Sequence, residues 1–400
     1  MSYQDIRIED FNYTLPDVQV AKYPLPDRDE CRLLVANEGH LSDHIFRDLP
    51  SLLPEKGLLV MNDTRVIRAR LEFFRETGAR IEVFCLEPST PALYELSLSS
   101  REPVVWHCLV GNARKWREPT LSKLLPSGTC LVAERCEEGE VRFSWDSDRT
   151  FGEVLTEAGE LPIPPYLHRE TEESDLETYQ TVYAEHEGSV AAPTAGLHFT
   201  DRVLGELQSR GLEVAKLTLH VGAGTFLHVK SETMGGHTMH KEMISVPVAT
   251  LERLLLQVER GEPIIAVGTT TTRTLESLYY MGHQLLEGVA HPFEVPQWLP
   301  YTLTPRFSLE ETLRALIEKL HGEGEQHLVG RTQLVILPSF EYKMVDYLIT
   351  NFHQPMSTLL LLVAAFMGDP EWRRMYQHAL DGGYRFLSYG DATLLHKKVR

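Results

Sequence analysis

A chain of 400 residues, 42% hydrophobic and 24% charged, has the composition of a globular protein and is long enough for two domains. That composition excludes a disordered or fibrous chain, and no apolar stretch reaches the ~20 residues of a membrane-spanning helix. The net charge of −18 is an unfavourable background for a nucleic-acid partner.

The first ten residues, MSYQDIRIED, lack the basic and apolar regions of a secretory signal. Five cysteines (Cys31, Cys85, Cys108, Cys130 and Cys136) form no CxxC pair, as expected of reduced thiols in a cytoplasmic protein. Charge is unevenly spread. Between Arg65 and Arg117 nine basic residues face six acidic ones, so that segment is +3 and the remainder −21. A phosphate-binding face is expected there.

In chain order, Arg32 to Ala36 and Gly57 to Met61 read as strands of an α/β layer. From Arg65 to about Asp148 the apolar runs are short (RARLEFF, ARIEVFCLE, VVWHCLVG, GTCLVAE, EVRFSW). They are separated by turns at Thr77-Gly78, Pro126-Ser127-Gly128 and Glu138-Gly139, a spacing that predicts a small antiparallel barrel. After Phe151 strands and helices alternate. Helices are predicted over 201–210, closed by Gly211, over 249–260, ended by Gly261, and over 272–281, closed by Gly282. Further helices fall over 357–366 and 370–380, with strands over 214–221, 264–267 and 333–337. The stretch from Gly282 to Gly330, with one helix over 309–320, reads as a loop excursion. The expected architecture is an α/β sheet domain, residues 1–64 and 149–400, with a β-barrel of residues 65–148 inserted into it.

Three small-residue clusters mark candidate ligand loops. Gly188 to Thr200 contains Thr194 and places His198 just before a helix N-terminus, either to face a ligand or as a structural histidine. Leu217 to Phe226 runs from a strand into a turn with Gly222 and Gly224, and its His220 points either into the crevice beyond the sheet or into the core. Val267 to Ser277 clusters Thr269, Thr270 and two further threonines at a helix start beside Arg273. That arrangement suits a carboxylate or phosphate, or else a capped helix with Arg273 in an ion pair. His237 and His240 with Glu242 could be read as metal ligands, but HTMH outside a helix converges poorly on one ion, and no metal is expected. Asp63 and Arg65 lie where strand meets barrel. Asn351, His353 and Asp391 interrupt apolar runs. Arg114, Lys115, Trp116 and Arg117 offer cations around an aromatic that could stack on an RNA base, or form a solvated loop.

Taken together these segments resemble one family, the S-adenosylmethionine:tRNA ribosyltransferase-isomerases. The resemblance is carried by RDECRLLV from Arg28, VMNDTRVIRARL from Val60, YQTVYAEHEGSVAAPTAGLHFT from Tyr179 and LTLHVGAGTF from Leu217. It continues through HTMHKEM from His237, AVGTTTTRTLES from Ala266, DYLITNFHQPMSTLLLLVAAF from Asp346 and YRFLSYGDATLL from Tyr384. It implies an α/β domain with an inserted barrel. It also implies a cytoplasmic enzyme that consumes S-adenosylmethionine as co-substrate. The ribosyl moiety would pass to the 7-aminomethyl group of a 7-deazaguanine at the tRNA wobble position and rearrange to epoxyqueuosine, releasing adenine and methionine.

On that reading His198 and His220 are expected to move protons, and Asp63, Glu242 and Asp391 to hold cationic groups. Thr269 to Arg273 would take the methionine carboxylate, and Asn351 and His353 a base. A monomer is expected. The chain departs from the family pattern at Met356, where a lysine is usual, at Met243 for tryptophan, at Ser339 for glycine and at Arg68 for proline. Two other readings remain open: an RNA-binding paralogue that has lost the reaction, and a metal-dependent hydrolase.

Overall fold

The computed structural model describes residues 3–222, 229 and 231–397. A hairpin, β1 (Arg32–Asn37) and β2 (His40–Ile45), is followed by a helical turn α1 (Leu49–Leu52), β3 (Leu58–Asn62) and β4 (Thr64–Val66). Next come β5 (Arg70–Phe74), β6 (Arg80–Thr90), α2 (Tyr94–Ser99), β7 (Val104–Gly111), β8 (Thr120–Leu124), β9 (Cys130–Arg135) and β10 (Glu140–Trp145). The return passes through α3 (Phe151–Ala158), β11 (Gly159–Glu160), α4 (Asp175–Thr178) and β12 (His186–Ser189). Then follow α5 (Asp201–Ser209), β13 (Glu213–Leu219), β14 (Glu242–Pro247), α6 (Val248–Arg260), β15 (Ile264–Val267) and α7 (Thr269–Leu286). The chain continues with β16 (Glu294–Val295), α8 (Leu299–Thr302), α9 (Leu309–Glu323), β17 (His327–Thr332), β18 (Tyr347–Asn351), α10 (Thr358–Met367), α11 (Glu371–Asp381) and β19 (Ala392–His396).

Ten strands form one large mixed sheet in the order β16-β17-β14-β13-β3-β15-β18-β19-β1-β2. Its centre is parallel: β3 pairs with both β13 and β15, and β15 with β18. The middle two, β3 and β15, are buried along their whole length and apolar from Leu58 to Met61 and from Ile264 to Val267, because both faces are covered. Leu34, Leu58, Val60, Ala266 and Leu348 face the core under α6, α7, α9, α10 and α11, while Leu33, Leu59, Met61, Ile265 and Ile349 face α1 and α5. The period of two sends neighbouring residues to opposite cores.

The second sheet, β11-β5-β6-β7-β10-β9-β8, is antiparallel and curls until β8 approaches β5 without pairing with it. It is a half-barrel around Phe73, Val83, Trp106, Leu131 and Phe143. Helix α3 and strand β11 contribute to it, so the curled unit extends to Glu160, beyond the predicted limit of 148.

Three expectations require correction. No strand forms over 333–337: β17 ends at Thr332, and Leu334 to Leu337 fill the core without sheet pairing, so their apolar run reports burial alone. Gly282 does not close its helix, because α7 runs through it to Leu286. The segment 282–330 is not a loop excursion. Helix α9 packs on α7 and α6, and β16 and β17 join the large sheet.

Candidate functional site

Beyond the carboxyl ends of β15 and β18, where parallel sheets bind ligands, lies a small cavity of about 80 Å³. Its walls come from Ala191 to Ala195, Gly268 to Thr270, Thr350 to Gln354, and Leu387-Ser388, with Tyr166, Tyr179 and Val221. None of these carries a formal charge at neutral pH, since burial pushes the pKa of His353 down to about 3. The cavity therefore suits a neutral group with both flat apolar and hydrogen-bonding surfaces.

Asn351 is the most informative wall residue. Its Nδ2 donates to the Leu387 carbonyl at 3.1 Å and lies 3.0 Å from His198 Nε2. The carbonyl can only accept, which fixes the amide orientation. His198 Nε2 must then accept as well, and Nδ1–H points to Cys31 Sγ at 3.2 Å. Both amide protons are thus committed, and Asn351 Oδ1 is buried with no partner among the described residues. Burial, then the charges of Arg385 and Arg28, depress His198 to about 3. It is a neutral ring that holds Asn351, and it does not line the cavity.

The threonine cluster is divided in its roles. Thr271 and Thr272 bond back to the carbonyls of Val267 and Gly268 at 2.7 and 3.0 Å, whereas Thr269 and Thr270 face the cavity. Asn62 ties this corner together by donating to the Leu219 carbonyl at 3.0 Å and to Thr270 Oγ1 at 3.3 Å. Arg273 turns away. It donates to the Leu334 carbonyl and to the Glu242 carboxylate in a buried ion pair, although Nη2 has no partner among the described residues. Of the two readings of Arg273, the geometry is that of the ion pair, and Glu242 is its counter-charge.

His220 occupies a second pocket of structure. Its Nδ1 lies 3.0 Å from Thr64 Oγ1, and its ring packs on Tyr94 with centroids 4.3 Å apart. Gly188 makes room for this pair: a Cβ there would fall 2.7 Å from His220 Nδ1 and from Tyr94. Burial, with the nearby charge of His186, pushes His220 down to about 3. Asp63 accepts from Thr218 Oγ1 at 2.7 Å, and burial raises its pKa. His186, which the sequence reading did not single out, stands between Asp63 and Glu95 at 3.8 and 4.0 Å. Its signal was a histidine between Glu185 and Glu187.

Among the described residues, the His, Cys, Asp and Glu groups close enough to share an ion are Asp63, Glu185 and His186, rather than His237 and His240. Asp391 accepts from the backbone amides of Arg32 and Arg385 at 3.0 and 2.7 Å and so joins β1 to the segment before β19. Arg65 is exposed, on a different cavity from Asn351. Thr194 lies in the wall beside Pro193, and His353 is held by Thr350 Oγ1 at 3.0 Å. Gly222 is half-buried, and Gly224 lies outside the described residues. Trp116 corrects the stacking expectation: it is 5% exposed, packed in the half-barrel core, with Arg114, Lys115 and Arg117 exposed around it.

Residues 8–395 match the model of a family described as queuosine biosynthesis protein. Over 392 residues the chain is 39% identical to the S-adenosylmethionine:tRNA ribosyltransferase-isomerase of Chlorobium luteolum, covering 98% of this chain and 100% of that one. The chain belongs to the queuosine biosynthesis protein family. A relative of the same name from Acidithiobacillus ferrooxidans is 38% identical over 97% of each chain. A crystal structure of S-adenosylmethionine tRNA ribosyltransferase from Thermotoga maritima is 29% identical, covers 96% of this chain and 99% of its own, and superposes with a TM-score of 0.48. In this member of the queuosine biosynthesis family, five of the segments that carry the resemblance meet at one cavity. They are those around Thr194, Val221, Gly268, Asn351 and Leu387.

Proposed function

We propose that the chain is an S-adenosylmethionine:tRNA ribosyltransferase-isomerase. It transfers and rearranges the ribosyl moiety of S-adenosylmethionine onto the 7-aminomethyl group of 7-aminomethyl-7-deazaguanine at the wobble position of tRNA, giving epoxyqueuosine, adenine and methionine. The observation that carries this reading is the full-length similarity to relatives of that name, 34–39% identical. The uncharged cavity at the sheet's carboxyl edge supports it, because a neutral nucleoside base fits such walls and Asn351 Oδ1 offers an acceptor to an amino group. We read residues 65–160 as a module inserted into the sheet domain, and the protein as cytoplasmic and monomeric.

The chemistry needs a base for the attacking amine and for the carbon beside the sulfonium, and a donor to the departing adenine. With pKa values near 3, His198 and His220 are poor proton acceptors at neutral pH. We assign them positioning roles. The loss of the usual lysine at Met356 does not strip the cavity of a charge. Met356 packs against the main core and is absent from the cavity walls.

The test is incubation with S-adenosylmethionine and tRNA carrying the deazaguanine, followed by adenine release and nucleoside mass analysis. Equimolar adenine and the mass of epoxyqueuosine are expected. tRNA binding without adenine release would favour the RNA-binding paralogue instead.

A further inference from the structure

Beside the uncharged cavity lies a larger cleft of about 420 Å³, and the two share Tyr166, Gln354 and Leu387 as walls. Their linings differ in kind. The cleft carries Asp17 and Lys22, both exposed, and neither is in an ion pair among the described residues. Opposite charges on one rim, joined through a common wall to an uncharged cavity, complement a ligand with a flat neutral end and a zwitterionic end. The cavity is a built site: Asn351 is 2% exposed, its amide is fixed by His198 and Leu387, and its Oδ1 has no partner among the described residues. Arg273, the cation expected to take a carboxylate, is engaged by Glu242 and Leu334 and lies outside both linings. The carboxylate therefore needs another counter-charge.

We infer that the co-substrate is bound across the shared wall, its adenine in the cavity against Asn351 and its amino-acid end in the cleft, the carboxylate toward Lys22 and the ammonium toward Asp17. This rests on S-adenosylmethionine being the co-substrate. Tyr166, whose hydroxyl lies 2.5 Å from Ser388 Oγ, stands at the junction where the ribose would pass.

The test compares S-adenosylmethionine with 5′-methylthioadenosine, which keeps the adenosine and lacks the amino-acid end. Equilibrium binding to the full chain is measured with and without tRNA. Lys22→Glu and Asp17→Lys should each weaken S-adenosylmethionine roughly tenfold, as expected for reversal of an exposed charge contact. Both should leave methylthioadenosine unchanged, whereas Asn351→Leu should weaken both ligands. Since Asp17 and Lys22 are exposed, their variants should melt with the parent, and thermal scans check this. Equal effects on the two ligands, or no effect on either, would overturn the cleft assignment while the function stands. A parent protein that binds neither ligand under either condition would overturn the function as well.

Discussion

Gly282 in α7 lies so close to Thr312 in α9 that a β-carbon there would sit 2.4 Å from the Thr312 carbonyl oxygen and 2.6 Å from its Cβ. Alanine normally improves a helix interior by about 1 kcal/mol over glycine. Here the contact is with backbone, which cannot rotate away, so α7 and α9 would have to separate. Gly282→Ala is expected to destabilise by about 1–3 kcal/mol, as overpacking does. Urea unfolding measures it, and a rise in stability would mean that the two helices are not packed at this distance.

Ser339 has the opposite sign. Its φ of +108° lies where residues with a side chain are strained. Relief of about 1–3 kcal/mol of strain, less about 0.4–1 kcal/mol for the more flexible unfolded chain, leaves Ser339→Gly more stable by about 1 kcal/mol. A Tm unchanged or lowered relative to the parent would contradict the strained backbone.

The buried histidines set the acid limit of stability. His198, His220 and His353 each have a folded pKa pushed down to about 3, against about 6.5 in an unfolded chain. Above pH 6.5 both states are neutral and nothing is lost. Between pH 6.5 and 3 only the unfolded state takes up the proton, so stability falls with pH by up to about 1.4 kcal/mol per unit for each ring. Asp63, Asp391 and Glu276, raised by burial, act in the opposite sense and soften the fall. The unfolding midpoint should drop between pH 7 and pH 5, and His353→Asn should show a shallower drop. Identical slopes for variant and parent would show that His353 does not titrate this way.

If the exposed cations beside the half-barrel meet phosphate, Arg114→Glu with Arg117→Glu should weaken tRNA binding and reduce the slope of log K against log salt by about one per lost contact. Trp116→Ala, by contrast, should act on folding, at about 3–5 kcal/mol for a buried tryptophan. Unaltered salt dependence in the charge-reversed protein would move the RNA to another face.

Where local chemistry decides, the structure follows the sequence closely. Ile264–Val267 is apolar on both faces, Gly261 ends α6 in a left-handed turn, and Ser357 caps α10 by accepting from the Leu360 amide at 3.2 Å. Where partners are distant, it does not. The helix over 309–320 was legible, but nothing near Gly282 announces that it packs there, and the apolar run 333–337 is buried without forming a strand. The site divides in the same way. Asn351 stood out as a polar interruption in an apolar run, but the contact of His198 with Cys31 spans 167 positions and is set only by the fold. His186 became visible only when β12 paired with β4 and brought it to Asp63.

Strand β19 is inserted between β18 and β1, antiparallel to the first and parallel to the second. During synthesis the hairpin of residues 32–45 therefore waits for a neighbour that is made more than three hundred residues later. Until Ala392 to His396 leave the ribosome, two apolar strand edges stay open to stray pairing. A message truncated just before that codon stretch would yield a sticky, protease-sensitive product rather than a slightly shortened enzyme.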